Sequence, residues 1–172
     1  TSGRFATYVY RNEAKQIDVE KLDMTDDAVD VWYTAPRDAG RAMITPSYVD
    51  QIDGKPTLIT TLAAPIKADG KVIGTTGVDF ALADISHMIA ELKPFKTGTV
   101  SLIDGADQWL ANPDKALLGQ KVTDGAILAF SAAAKKDGAA ERVLDHGLYQ
   151  AAVPIVFPGA SEKWLLILSA PE

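Results

Sequence analysis

The 172-residue sequence contains no cysteine. Disulfides, thiolate zinc sites and cysteine nucleophiles are therefore excluded, although the compartment stays open because exported domains need not carry disulfides. The sequence also has no run approaching the ~20 apolar residues that cross a bilayer, and no signal-peptide pattern. Because the first residues already resemble part of a folded segment, we expect the chain to be a piece of a larger protein.

Basic residues are also few, with 17 Lys and Arg against 23 Asp and Glu and a net charge of −6. Phosphate binding needs a basic face, so nucleic acid is not an expected partner. The two histidines, His87 and His146, are isolated, and no zinc-protease motif, nucleophile elbow, phosphate loop or calcium loop is present. We predict no enzyme, no cofactor and no metal site. A hydrolase is a further alternative, although no residue in the sequence supports it.

The clearest local pattern is a long hairpin. Apolar residues alternate with polar ones over residues 57–66 and again over 72–80, and Asp69-Gly70 lies between the two runs. An Asp-Gly pair flanked by alternating runs is a strong hairpin signal. Gly74 and Gly77 predict close approach of another element or a ligand to the second strand.

Shorter elements precede and follow this hairpin. Residues 4–11 predict a strand with Tyr8 and Tyr10 on one face, and residues 12–25 are polar and irregular. Asp26 or Asp27 is expected to cap a helix over 28–33, which Pro36 should end a turn later. The other predicted elements are extended segments at 41–44, 47–50, 99–103, 108–111, 141–145, 149–157 and 163–170, a helix at 82–92, and a helix from Asp124 to about Lys136.

Aromatic rings and carboxylates are concentrated between residues 30 and 79. Trp32, Tyr33 and Tyr48 supply rings, and Asp30, Asp50 and Asp79 supply carboxylates. Ring faces attract an organic cation by roughly 0.5–2 kcal/mol each once water is excluded, and carboxylates accept hydrogen bonds from a primary amine. The pattern fits either a quaternary ammonium compound, held by ring faces, or a primary amine, held by carboxylates. Tyr8 and Tyr10 are further candidates for the same pocket.

Each candidate also has a structural interpretation. The aromatic residues are typical of core packing, and Tyr8 and Tyr10 are equally compatible with a core or a dimer interface. Asp79 lies near the end of an apolar strand, where a buried carboxylate needs a partner. It is alternatively a cap for the helix that begins near Leu82.

The order of Trp32-Tyr33, Tyr48-x-Asp50, a long hairpin and Gly77-Val78-Asp79 resembles the double Cache sensor domain of bacterial chemoreceptors and some sensor kinases. The resemblance covers nearly the whole chain and implies an α+β fold of two tandem PAS-like modules, 1–95 membrane-distal and 96–172 membrane-proximal. Each module has a central antiparallel sheet with flanking helices. The family's long N-terminal helix and its membrane helices are absent from this sequence.

In amino-acid sensors of this family, the resemblance implies that an arginine binds the ligand carboxylate and that a tyrosine and two aspartates hold the ammonium. This sequence has Asp30 in place of that arginine, which removes a bidentate partner for a carboxylate and adds a negative charge. The family's amine-recognising branch, whose ligands include polyamines, choline-like compounds and betaines, is therefore the expected one. A betaine carries its own carboxylate and would need a compensating cation such as Arg41.

The resemblance implies a periplasmic sensor domain of an inner-membrane chemoreceptor that binds a small amine. A quaternary ammonium or betaine-type compound is the first candidate ligand. It further implies a homodimer in the full receptor. Two alternatives stay open. One is a polyamine or amino-acid sensor, in which Arg37 or Arg41 replaces the missing arginine, and the other is a structural or dimerisation module without a small ligand.

Overall fold

The computed structural model describes residues 6–22, 24, 31–144 and 147–171. The candidate residue Asp30 and the candidate caps Asp26 and Asp27 lie outside these ranges.

Antiparallel strands with few helices make up the described part, so the expected α+β class is confirmed. The first half contains β1 (Thr7–Arg11), β2 (Ile17–Lys21), α1 (Val31–Ala39), β3 (Met43–Ile44), β4 (Tyr48–Ile52), β5 (Lys55–Ala68), β6 (Lys71–Ala81) and α2 (Leu82–Ala90). The second half contains β7 (Thr99–Ile103), β8 (Trp109–Ala111), α3 (Gly125–Asp137), β9 (Ala140–Leu144), β10 (Leu148–Val156) and β11 (Lys163–Pro171), with a single 3-10 turn at Lys115–Leu117.

The long hairpin β5–β6 is the centre of the first sheet. Asp69 and Gly70 both have positive φ, 48° and 76°, as a two-residue turn matched to twisted strands requires. β6 pairs with one edge of β5, while β3 and β4 pair with β5 in succession along its length. The predicted hairpin is confirmed.

The second sheet has five antiparallel strands in the order β8-β7-β11-β10-β9. The Asp124 carboxylate accepts hydrogen bonds from the backbone N–H groups of Ala126 and Ile127, which confirms it as the cap of α3. Gly138 ends the helix with a φ of 87°. The change from the first sheet to the second falls between Ala90 and Thr99.

Two predicted elements differ in the structure. Residues 12–25 include β2, which pairs with β1 as a two-stranded sheet, so the irregular assignment was wrong there. Pro36 does not end the first helix but lies buried within α1. Proline in a helix removes one backbone hydrogen bond. Complete burial of this ring by tertiary packing overrides the local stop signal.

The two sheets share one hydrophobic core around α2. Leu82, Ile85 and Ile89 of α2 pack with Ile44 of the first sheet and with buried residues of the second sheet, among them Val100, Leu102, Leu110 and Trp164. A second core lies between α3 and the five-stranded sheet. The face of β5 that carries Leu58 and Leu62 therefore packs against this core, and the opposite face is available for a ligand.

Candidate ligand-binding site

A cavity of about 490 Å³ lies between the open face of the first sheet, α1 and the β1–β2 hairpin. Tyr48 and Asp50 share this face of β4 because side chains alternate along a strand. The register places Thr61 of β5 opposite Asp79 of β6. Six of the candidate residues line the cavity: Tyr8, Trp32, Tyr33, Tyr48, Asp50 and Asp79.

The centre of the site is a chain of short hydrogen bonds on the sheet. The Thr61 hydroxyl donates to Oδ1 of Asp79 at 2.6 Å, and it lies 2.7 Å from the Tyr48 hydroxyl. Thr61 is only 2% exposed. An ionised carboxylate can only accept hydrogen bonds. Because the single Thr61 hydrogen goes to Asp79, the Tyr48 hydroxyl must be the donor to Thr61.

Tyr8 reaches the same carboxylate from the hairpin. Burial raises the pKa of the Tyr8 hydroxyl, and the nearby carboxylates of Asp79 and Asp50 raise it further. The Tyr8 hydroxyl thus lies near the Asp79 carboxylate, which accepts its hydrogen bond from Thr61 of β5. This proximity places the β1–β2 hairpin against the sheet.

The rings of Trp32 and Tyr33 stand at the helical wall of the cavity. They meet edge to face, with centroids 5.8 Å apart and planes 73° apart. The backbone carbonyl of Tyr33 accepts a hydrogen bond from the Thr75 hydroxyl of β6, which ties α1 to the sheet. The two rings are therefore held against the cavity by packing and by one cross-element hydrogen bond.

Glu20 is a lining residue that sequence reasoning missed. It pairs with Tyr8 across the β1–β2 hairpin and so shares its face. Recognition of this hairpin from the alternation of Ile17 and Val19 with Asp18 and Glu20 would have found it. With Asp50 and Asp79, it brings the described lining to three carboxylates.

No lysine or arginine is among the lining residues in the described part of the chain. Arg37 pairs with Asp38 at 2.8 Å and lies over the Tyr33 ring, 5.4 Å from its centroid. Arg41 donates to the Ala42 carbonyl and pairs with Glu162 of the second half at 3.5 Å. The cavity as described therefore carries negative charge without a basic side chain to receive a ligand carboxylate.

Gly77 keeps the floor of the cavity open beside Thr61. A Cβ at this position would lie 3.1 Å from Thr61 Cγ2 and 3.4 Å from the Leu62 carbonyl oxygen. The first approach is tighter than ordinary van der Waals contact, so a side chain here would require Thr61, which bonds Asp79, to shift by a few tenths of an ångström. The close approach expected from Gly77 in the sequence is present.

Two sequence interpretations need correction. Asp79 does not cap α2, because the N-cap is Ala81 and no side chain bonds the first turn. Its carboxylate accepts a hydrogen bond from Thr61 of β5 instead. Tyr10 is absent from the described lining and stacks on Tyr8, with ring centroids 5.7 Å apart. It lies on the same face of β1 as Tyr8 and stacks on that ring beside the cavity.

Among the described residues, no group of three or more His, Asp or Glu side chains is arranged to hold a metal ion. The same part of the chain has no helix with the length and apolarity needed to cross a membrane.

The described structure thus combines an antiparallel sheet with a charged cavity walled by aromatic rings on one face, and the family match identifies this arrangement as a sensor domain. The chain belongs to the family described as methyl-accepting chemotaxis protein-like, first PDC sensor domain, which matches residues 1–87. This establishes the Cache-type sensor domain inferred from the sequence, and the relatives are chemoreceptors rather than enzymes.

Curated relatives come from pseudomonads. Methyl-accepting chemotaxis protein TlpQ of Pseudomonas aeruginosa is 27% identical over 190 residues, covering 99% of this chain and 26% of the relative. PscA of Pseudomonas syringae pv. tomato is 28% identical over 93 residues, covering 54% of this chain and 14% of the relative. The chain thus spans about a quarter of TlpQ.

Two solved structures share the fold. One, described as methyl-accepting chemotaxis protein X, has a TM-score of 0.77 and 24% identity, covering 96% of this chain and 63% of that chain. The other is the ligand-binding domain of the Pseudomonas aeruginosa amino-acid chemoreceptor PctC in complex with GABA, with a TM-score of 0.61, 18% identity and coverage of 95% and 71%. At these identities the likeness establishes the fold alone.

Proposed function

We propose that this chain is the extracytoplasmic ligand-binding domain of a chemoreceptor and that its cavity takes a small organic amine. A quaternary ammonium compound is the first candidate. The observation that carries the proposal is the composition of the described lining, which has four aromatic residues, three carboxylates and no basic side chain. Such a lining attracts a cation both through ring faces and through charge.

Within the quaternary ammonium class, choline is favoured over glycine betaine. The carboxylate of glycine betaine would enter a cavity whose described charged groups are all negative. Like charges at close range repel. Asp30 adds a further negative charge in sequence next to α1, and the role proposed for it rests on the sequence alone.

Polyamines are the second candidate, because the carboxylates lie on different walls. Asp79 and Asp50 belong to the sheet, whereas Glu20 belongs to the hairpin on the other side of the cavity. A primary ammonium group at each end of a diamine would find an acceptor on each wall. An amino acid would additionally need a cation for its carboxylate, and neither Arg37 nor Arg41 is among the described lining residues.

For the full receptor we propose a periplasmic location, anchorage in the inner membrane by helices outside this chain, and a homodimer. We further propose that residues 1–95 form the ligand-binding membrane-distal module and residues 96–172 the membrane-proximal one. These assignments rest on the family and on the resemblance stated above.

Isothermal titration of the chain with choline, glycine betaine, putrescine and an amino-acid mixture, run in parallel, tests the proposal. We expect choline to bind, glycine betaine to bind with lower affinity, and the amino acids not to bind. A thermal shift supports each hit, since a ligand at ~100 times its dissociation constant stabilises by about 2.7 kcal/mol.

The other outcomes assign the site differently. Binding of putrescine alone would favour the second candidate and the carboxylate pair across the cavity. Amino-acid binding would mean that a cation outside the described lining replaces the lost arginine. No response to any of the four would contradict a small-amine site and favour a structural or dimerisation module.

A further inference from the structure

We propose that Thr61 is a specificity-determining residue of this cavity, because the direction of its hydrogen bonds uses two hydroxyl hydrogens of the site and so selects against ligands that carry a carboxylate. This inference rests on the proposed function and deepens it. Thr61 was not a candidate from the sequence, and it is nearly completely buried, between Tyr48 and Asp79.

The direction of donation follows from the number of hydrogens. A threonine hydroxyl has one hydrogen and can accept from two directions. The Asp79 carboxylate takes that hydrogen at 2.6 Å, so the lone pairs of Thr61 accept the Tyr48 hydrogen at 2.7 Å. The hydroxyls of Tyr48 and Thr61 thus direct their hydrogens along one path that ends on the carboxylate.

The backbone holds Thr61 in this role. Its backbone N–H donates to the Thr45 hydroxyl at 2.9 Å, and its carbonyl accepts from the Thr45 N–H at 2.9 Å. These two bonds to Thr45 fix the backbone of Thr61 on the sheet, and its buried side chain cannot turn away without breaking its own two short hydrogen bonds. The donor path is therefore a fixed property of the folded sheet and is present before any ligand enters.

Ligand choice follows from this path. A carboxylate needs hydrogen-bond donors to replace its water, and the hydroxyl hydrogens of Thr61 and Tyr48 are already used within the path to Asp79. An ammonium or quaternary ammonium group needs only acceptors or ring faces, which the carboxylates of Asp50 and Glu20 and the aromatic rings of the lining supply. Thr61 therefore favours cations over zwitterions of similar size.

Thr61→Val tests this directly, because valine has the same shape and no hydroxyl. It removes both the donor to Asp79 and the acceptor of the Tyr48 hydrogen, so the path that directs these hydroxyl hydrogens away from a ligand carboxylate is lost. By titration calorimetry we expect the wild type to prefer choline to glycine betaine more than tenfold, and Thr61→Val to reduce this ratio at least fivefold. Thr61→Ser, which keeps the hydroxyl, should retain the ratio.

Thr57→Val is the matched control, because the Thr57 hydroxyl bonds the Lys55 carbonyl on the same strand and takes no part in the path to Asp79. An unchanged choline-to-betaine ratio in Thr61→Val, or an equal loss of both affinities, overturns the proposal. A merely structural role would lower both affinities together, so the ratio separates the two roles.

A ligand-free measurement keeps the inference separate from the proposed function. In urea denaturation, the midpoint shifts of Thr61→Val and Tyr48→Phe should not add in the double variant, because both remove the same hydrogen bond. Additive shifts would contradict the donor path. If the wild type bound neither choline nor betaine, the selectivity proposed for Thr61 would be rejected, and the proposed amine site would be rejected as well if putrescine also failed to bind. In each case this cycle would still test the hydrogen bond between Tyr48 and Thr61.

Discussion

Replacing Asp79 by asparagine removes the negative charge at the centre of the cavity and keeps its shape. The asparagine Oδ1 can still accept from Thr61, so the network on the sheet is only partly lost. We therefore expect a modest stability cost of about 1 kcal/mol and a large loss of cation affinity.

The size of that loss can be worked from the position of the carboxylate. A cation about 5 Å away, at an effective dielectric constant near 20, gains about 3 kcal/mol from one charge. Asp79 is partly rather than fully buried, and solvent screening reduces the gain to about 2 kcal/mol, or roughly 30-fold in affinity. Asp50 is exposed, and removal of an exposed charge changes affinity by about 1 kcal/mol or less.

The assay is titration calorimetry with choline on wild type, Asp79→Asn and Asp50→Asn, with thermal unfolding of each variant as the check on folding. We expect roughly 30-fold weaker binding for Asp79→Asn and less than about fivefold for Asp50→Asn. Equal affinities for the two variants, with both folded, would refute the central role given to the Asp79 charge.

Three further predictions concern a ring, a buried acid and a glycine. Trp32→Ala should weaken choline binding at least about tenfold through loss of its ring face, whereas Trp32→Phe should retain most of it; equal losses in calorimetry would argue against a cation–π contact. Asp104 is 1% exposed, and its burial raises the carboxyl pKa, so its ionisation in the folded state costs stability as pH rises through that pKa. Asp104→Asn should therefore be more stable than wild type at pH 7, and this gap should close toward about pH 4; a gap independent of pH in urea denaturation would contradict this account. Gly119 has a φ of 73°, and a Cβ there would lie 2.7 Å from Leu58 Cδ2. Gly119→Ala should therefore lower the free energy of unfolding by about 2 kcal/mol and the melting temperature by about 4–8 °C. An unchanged melting temperature would mean that the loop and the strand relax freely.

Most of the fold could be predicted from local signals. The Asp69-Gly70 turn and the Asp124 cap act within a few residues, so the sequence contains everything needed to locate them. β2 was missed for the opposite reason. Its alternating pattern is real, but Ile17 and Val19 face solvent, 66% and 61% exposed, while Glu20 faces the cavity. A rule that places the apolar side inward does not recognise such a strand.

The residues of the candidate site were predictable only in part. The resemblance brought forward Trp32, Tyr48 and Asp79, because their order along the chain is distinctive. Thr61 carried no signal, since a threonine in a strand is ordinary and its importance arises from the register that places it opposite Asp79. Partners of this kind are defined by pairing between strands, which a single sequence does not display.

β6 continues into α2 without an intervening loop. Ala81 is the last residue of the strand and Leu82 the first of the helix, so Asp79 is three residues from a helix that packs against β7 and β8. Nine helical residues span about 13 Å, and a rotation of about 5° at the first of them moves the other end by about 1 Å. A ligand that draws Asp79 toward the cavity would therefore rotate α2 as a short rigid helix. The C-terminal end of this helix would shift within the core shared by the two sheets.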